Sequence, residues 1–253
     1  EKCVSCGMCL VNCPFGAIAD KSQIFQVIMA INAGDEVIAE VAPAFVGQFG
    51  GKGNVDKLRE AFKQLGFSGM EEVALGADLC TIQESEDFLE EVPDKIPFMG
   101  TSCCPAWSVM AKKEFPKNAD CISMALTPMT LTARLIRKQH PNAKIVFVGP
   151  CSAKKLEAMR ESVRSEVDFV LTFEEMAGMM SAKQIDYTKL AGEGGDFDVA
   201  SADGRGFAVA GRGQRHPQAL PRARGQGGQR RGPRGVPQAD EGRRQGQVRW
   251  LPA

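Results

Sequence analysis

The feature that most constrains this chain is Cys3-x2-Cys6-x2-Cys9-x3-Cys13-Pro14, four cysteines within eleven residues at its start. Gaps of two residues let successive thiolates wrap one cubane cluster, and Gly7 lets backbone amides approach the cluster sulfides. The competing reading is a structural zinc site, which prefers paired Cys-x2-Cys units separated by a longer loop. With Cys80, Cys103, Cys104, Cys121 and Cys151 the total is nine. An odd number, so unevenly spread, does not make a disulfide framework; it fits a reducing compartment, the cytoplasm by default.

Global charge excludes little else. The 253 residues carry 31 basic and 31 acidic side chains, so nothing asks for nucleic acid or a membrane surface. No apolar run approaches the roughly 20 residues that span a bilayer. Residue 1 is Glu, and no charged segment with an apolar stretch precedes the domain, so no secretory leader is expected.

Three segments are expected: residues 1–30, 31–211 and 212–253. The first is Cys-rich and reads as loop, broken by Pro14 and Gly16. In the second, strands are expected at 36–45, 72–75, 96–100, 144–148 and 167–172. Helices are expected at 55–65, 81–92, 106–115, 129–139, 154–164 and 174–180, the first with apolar residues at 55, 58, 62 and 65. Such alternation implies an α/β fold of βαβ units around a mainly parallel sheet, with function gathered at the carboxyl ends of strands. The third segment has ten Arg and no Lys, against fifteen Lys and six Arg before it, and lacks Ile, Phe, Met, Cys, Ser, Thr and Asn. Such a composition cannot bury enough apolar area to fold, which reads as a disordered basic arm for nucleic acid. A reading-frame shift near Gly211 explains the abrupt Lys-to-Arg switch better.

Two further motifs stand where expected strands run into helices. In Thr101-Ser102-Cys103-Cys104-Pro105-Ala106-Trp107, adjacent cysteines point differently and serve different tasks. Cys104, nearer the helix N-terminus, suits ligation as a thiolate, which leaves Cys103 as a proton carrier; by itself such a pair reads equally as core packing. In Gly149-Pro150-Cys151-Ser152-Ala153-Lys154-Lys155-Leu156-Glu157, Cys151 sits where a ligand would, and Lys154 sets an ammonium one turn on.

Together these motifs resemble those of the iron-only hydrogenases, from about residue 1 to 211, and Cys13-Pro14-Phe15-Gly16-Ala17-Ile18 resembles the second half of a bacterial ferredoxin domain. The resemblance implies a ferredoxin-like 4Fe-4S segment followed by the hydrogenase α/β domain. It further implies reversible reduction of protons to H2 at a six-iron cluster, a 4Fe-4S cubane joined to a diiron unit with CO, cyanide and a bridging azadithiolate. Electrons would come from ferredoxin or a similar carrier, and maturation proteins would build the cluster. By this likeness Cys3, Cys6 and Cys9 hold one input cluster whose fourth ligand lies upstream, and Cys13 serves another. Cys104 and Cys151 match two cubane ligands, and Cys103 matches the thiol that relays protons. Lys154 matches the residue at a diiron cyanide, Ser123 a proton-path hydroxyl, and Ala42-Pro43-Ala44 the loop beside the diiron unit.

The departures are specific. The family's third motif carries two more cysteines, and none follows Cys151 here. Ser85 and Phe88 stand where one branch has proton-path glutamates, and Gly149 replaces a frequent methionine. The chain is therefore expected to be a divergent member, incomplete at both ends and lacking a complete catalytic cluster. The alternative is a non-catalytic iron–sulfur assembly relative. Cys80 and Cys121 are expected in the core, His140 at a helix end, Lys112 and Lys113 on a solvated face, and 50–53 as a flexible connection.

Overall fold

The computed structural model describes residues 2–50, 54–192 and Arg205. In chain order the elements are α1 (Met8–Val11), α2 (Ile24–Ala33), β1 (Val37–Val41), α3 (Val55–Leu65), β2 (Gly69–Glu72) and α4 (Val73–Glu91). There follow α5 (Pro105–Glu114), α6 (Pro128–Gln139), β3 (Lys144–Gly149), α7 (Ala153–Ala158), β4 (Phe169–Thr172) and α8 (Phe173–Ala182). The strands form one parallel sheet in the order β2-β1-β3-β4, so the α/β expectation holds.

Burial follows from that topology. Every residue of β1 is buried, as a parallel strand covered on both faces must be. One face packs Val37, Ala39 and Val41 against Val27 of α2, Leu58, Phe62 and Leu65 of α3, and Met176 and Met180 of α8. On the other face Ile38 and Ile145 meet Ala133 and Ile136 of α6. A fully buried side chain such as Phe62 contributes about 1.5–3 kcal/mol. The helices are also locally specified. Asn54 caps α3 by accepting from the Asp56 and Lys57 amides, Gly66 closes it at φ 103°, and Thr172 with Glu175 forms a capping box on α8.

Several boundaries differ from the sequence reading. The segment read as loop contains α1 and α2. The strand expected at 36–45 ends at Val41, and Pro43–Phe45 turns as a 3-10 helix. The strand expected at 72–75 instead ends at Glu72, and Val73 begins α4; a run of three apolar residues fits either element. No strand forms at 96–100, where Pro97 removes a ladder N–H; only Gly100 bridges to Ile122. The helix expected at 154–164 stops at Ala158, whose carbonyl accepts from the Ser165 hydroxyl at 3.1 Å. Residues 212–253 lie outside the described residues.

Helix α4 lies across α6 at Gly76. A Cβ there would run into the Pro128 carbonyl oxygen and Thr132 Oγ1. Gly76→Ala gains about 1 kcal/mol of helix propensity, but forcing two helices apart costs about 1–3 kcal/mol. The clash involves backbone and wins, so a net loss of about 1 kcal/mol is expected in urea unfolding. A Gly76→Ala protein as stable as the parent would show that the helices do not meet there.

Candidate metal and proton site

The sheet order places the site. From β1 the chain adds β2 on one side and later β3 on the other, so the crevice between the carboxyl ends of β1 and β3 is the topological switch point. Strand β1 runs into Ala42-Pro43-Ala44, and β3 runs into Pro150-Cys151. The two exits are tied together, because the Ala42 amide donates to the Val148 carbonyl at 2.9 Å. At Gly149 a Cβ would run into the Phe147 ring, so the strand end takes glycine because that ring folds over it.

The loop at 101–104 comes from no strand and is fastened by tertiary bonds. The Gly100 amide donates to the Cys121 carbonyl, and the Ser123 amide to the Gly100 carbonyl, both at 2.7 Å. Trp107 Nε1 donates to the Thr101 carbonyl at 3.1 Å, and Ser102 Oγ to that of Ala125 at 3.2 Å. Across the crevice, Lys154 Nζ donates to the Cys103 carbonyl at 2.9 Å and to Glu157 Oε2 at 2.7 Å. Glu157, only 3 % exposed, accepts the Thr127 hydroxyl at 2.5 Å on its other oxygen. The ammonium also lies 5.9 Å from the centre of the Phe147 ring.

The two adjacent cysteines differ as their positions demand. Cys104 is the exposed N-cap of α5, at the positive end of the helix. Cys103 is half-buried, and burial pushes its thiol above the ordinary value, against the pull of the Thr101 hydroxyl and the Lys154 ammonium. A thiol that stays protonated suits proton carriage better than ligation. Cys80 and Cys121 are buried, as expected.

One residue escaped the sequence reading. Glu84 of α4 is pushed up by burial, opposed by the Ser123 hydroxyl and the Ser102 amide, and its charge acts on both Cys103 and Cys80. Its Oε1 is buried without a hydrogen-bond partner among the described residues. The acid beside Cys103 and Ser123 is thus Glu84, while Ser85 and Phe88, the positions matched to glutamates, are simply buried. The signal lay in α4 itself: Ala77, Cys80, Glu84 and Phe88 recur every three or four residues on its buried side.

The four-cysteine run packs against the helices that follow Cys104 and Cys151. Cys3 Sγ accepts the Ser5 amide at 3.4 Å, and Cys13 Sγ accepts that of Ala17 at 3.3 Å. Backbone amides, from Ser5 at Cys3 and from Phe15 and Ala17 at Cys13, hold both thiols below their usual values. That donor pattern fits cluster-bound thiolates. Among the described residues no three metal-ligating side chains converge as around a single ion; a cubane spreads its thiolates over separate corners. Lys113 of α5 donates to the Cys3 carbonyl at 2.9 Å, and a Cβ on Gly7 would stand 3.1 Å from Ser152 Oγ. Lys155 reaches Asp20, the Lys21 carbonyl and Glu175.

A parallel α/β sheet with thiols and a lysine at its switch point, behind a four-cysteine segment, is the arrangement of an iron–sulfur protein. The chain belongs to the family of the iron-only hydrogenase large subunit, C-terminal domain, whose model matches residues 35–215, and residues 1–19 match a 4Fe-4S binding domain. Its cofactors are iron–sulfur clusters. It is 30 % identical over 234 residues to the NADP-reducing hydrogenase subunit HndD of Solidesulfovibrio fructosivorans, covering 81 % of this chain and 40 % of that protein. It is 32 % identical over 142 residues to the cytosolic Fe-S cluster assembly factor NAR1 of Debaryomyces hansenii, covering 49 % of this chain and 26 % of that protein. The chain thus spans less than half the length of these curated relatives. In fold it is similar to an apo [FeFe]-hydrogenase HydA1 from Chlamydomonas reinhardtii, with a TM-score of 0.61 at 23 % identity over 72 % of this chain and 54 % of the other. No described helix is long and apolar enough to cross a membrane.

The Lys154–Glu157 pair is the energetic hinge of the site. Glu157→Ala leaves a buried ammonium without its counter-charge and is expected to cost about 3–5 kcal/mol in urea unfolding. The double variant with Lys154→Met should recover much of that loss; failure to recover would show that the charge pair is not what holds the crevice. At pH 7, Cys103 should alkylate more slowly than Cys104, read by peptide mass spectrometry, since only the latter is exposed. Equal rates would contradict the assigned burial.

Proposed function

We propose that the chain is the cluster-bearing part of an iron–sulfur oxidoreductase of the iron-hydrogenase type, reducing protons reversibly to H2 with electrons from ferredoxin or a similar carrier. The observation that carries this reading is Lys154, an ammonium one turn after Cys151, bonded to the carbonyl of Cys103 beside a protonated thiol. A scaffold would use such an ammonium only to place the two cysteine-bearing turns, and has no use for a protonated thiol beside it.

In this reading Cys3, Cys6 and Cys9 supply thiolates to the electron-input cluster and Cys13 to a second one, and the approach of Gly7 to Ser152 supports an input path toward Cys151. Cys104 and Cys151 supply thiolates to the catalytic cubane, and Lys154 holds an anionic ligand of the centre. The bond chemistry between hydrogens belongs to the six-iron cluster when it is bound. Cys103 holds the proton to be delivered, and Glu84 and Ser123 stand behind it as the group that replenishes it. Pro43 and Ala44 wall the crevice from the β1 side. On the same reading the protein works in the cytoplasm and is assembled with hydrogenase maturation proteins. Residues 1–30 act as the input domain and 31–211 as the hydrogenase domain.

A second reading, a non-catalytic iron–sulfur assembly protein, draws on the likeness to NAR1. Two of the family's four cubane thiolates are not supplied by the sequence. Anaerobic reconstitution of this chain should therefore load about four irons at the input site, lost on Cys6→Ser and Cys9→Ser, and no six-iron cluster. The gene product read through a one-base correction near the Gly211 codon, co-expressed with maturation proteins, should show infrared bands of bound CO and cyanide. A corrected protein that binds cubanes but never shows those bands is the assembly protein, and the hydrogenase reading fails.

A further inference from the structure

Glu40 has no part in the scheme so far, and nothing in its described surroundings neutralises it. It lies in the middle of β1 with 0 % exposure, and neither carboxyl oxygen has a hydrogen-bond partner among the described residues. Buried carboxylates persist only when paired or hydrogen-bonded. The charges that reach it are both on α7: the Lys154 ammonium, and the Glu157 carboxylate, which opposes the ammonium's effect. That one cation is already matched by Glu157 at 2.7 Å. Among the described residues, the other elements packed on β1 bring no second cation to it. Across the register stand Phe147 of β3 and Glu71, a further acid, on β2. On α6, Arg134 and Arg137 are bonded to the segment at 163–168, and α2 contains no charged residue. On the opposite face of the sheet, Arg59 of α3 lies with Asp56 and Glu72, and Glu175 of α8 with Lys155.

We propose that Glu40 is a neutral carboxylic acid at physiological pH, a proton-holding group of the site separate from Cys103, Glu84 and Ser123, coupled to the crevice through Lys154. Lys154 has three N–H donors, and the Cys103 carbonyl and Glu157 account for two. With Glu40 neutral, the trio of Glu40, Lys154 and Glu157 carries no net charge, and the ammonium stays available to an anion. Ionised, Glu40 would place a second negative charge on one cation and turn the crevice against anions. Insofar as the proposed function holds and a redox cluster sits beyond Lys154, added negative charge there raises the proton affinity of Glu40. Burial acts in the same direction, pushing its carboxyl well above the carboxylate range.

The sign of the pH dependence separates this from an ordinary ion pair. A carboxyl with a raised folded-state value stabilises the fold below the ordinary carboxylate range, and that stability is lost as pH climbs toward the folded value. Glu40→Gln, isosteric and untitratable, should therefore match the full chain in melting temperature near pH 4.5, the ordinary carboxyl value. It should then gain on it by roughly 3 °C per pH unit as pH climbs toward the folded value. If Gln is not tolerated, Glu40→Met serves as the second non-titrating variant. Independently, the wild-type infrared spectrum at pH ~7 should contain a protonated-carboxyl stretch that Glu40→Gln removes and Glu84→Gln leaves in place. A melting-temperature difference that stays flat, or that turns against Gln toward neutral pH as loss of an ionised partner of Lys154 requires, overturns the proposal. So does the absence of the carboxyl band. Neither measurement needs a cluster or hydrogen turnover, so failure here and failure of the hydrogenase reading are told apart.

Discussion

The site depends on one buried contact, the Lys154 ammonium clamped between the Cys103 carbonyl and Glu157. The loop bearing Cys103 and Cys104 has no strand of its own, so its position is set by what reaches across to it. Lys154 bridges α7 to that loop, and α7 in turn begins two residues after Cys151. A buried ion pair of this kind yields little net stability, because desolvating both charges offsets most of their attraction. What it supplies is geometry. It fixes two cysteine-bearing turns, far apart in sequence, on either side of one crevice, and Thr127 locks the carboxylate that does the fixing.

The same helices anchor the cysteine-rich segment. Lys113 holds the Cys3 carbonyl, Ser152 lies against Gly7, and Lys155 is engaged by Asp20, Lys21 and Glu175. Gly7 is left-handed at φ 77°, a conformation that costs a larger residue energy even before the approach of Ser152 is counted. Consecutive lysines therefore divide the labour: Lys154 faces the crevice and Lys155 the N-terminal segment. Any movement of α7 therefore acts on the crevice and on the N-terminal segment at once.

The parallel sheet, the amphipathic α3 and the cysteine motifs were legible because each is written locally, in periodicity or in spacing. Val55–Leu65 agrees residue for residue with the expected helix, and Lys144–Gly149 runs one residue past the expected strand at 144–148. What the sequence hid was tertiary. The stretch at 96–100 has strand-like composition, but Pro97 and a single bridge at Gly100 decide otherwise. Val73-Ala74-Leu75 suits a strand or a helix, and only the end of pairing at Glu72, held by Arg59 and Arg205, settles it. Glu84 was masked by its acidic neighbours Glu86 and Asp87, since a run of charges normally marks a solvated face. Glu40 was masked differently, as one polar letter in a run otherwise read as a buried strand.

Those two acids carry the physical argument further than the cysteines do. A fold that needed only to place thiolates would fill these positions with apolar side chains, at no desolvation cost. Here Glu40 and Glu84 both sit within the electrostatic reach of the crevice, and each has at least one oxygen without a hydrogen-bond partner among the described residues. Burial raises both, so both are biased toward the protonated form, and the cysteine on which Glu84 acts is also held protonated. Glu40 and Cys103 both lie within reach of the Lys154 ammonium, and Glu84 acts on Cys103, so the charge of this environment can change by protons rather than by movement of ions. A site that changes charge by one electron at a time is stabilised by such neighbours, because each electron added can be met by a proton retained nearby. The sequence departs from the glutamate spacing of one branch of the family, yet the folded chain sets two acids, Glu40 and Glu84, within electrostatic reach of the crevice.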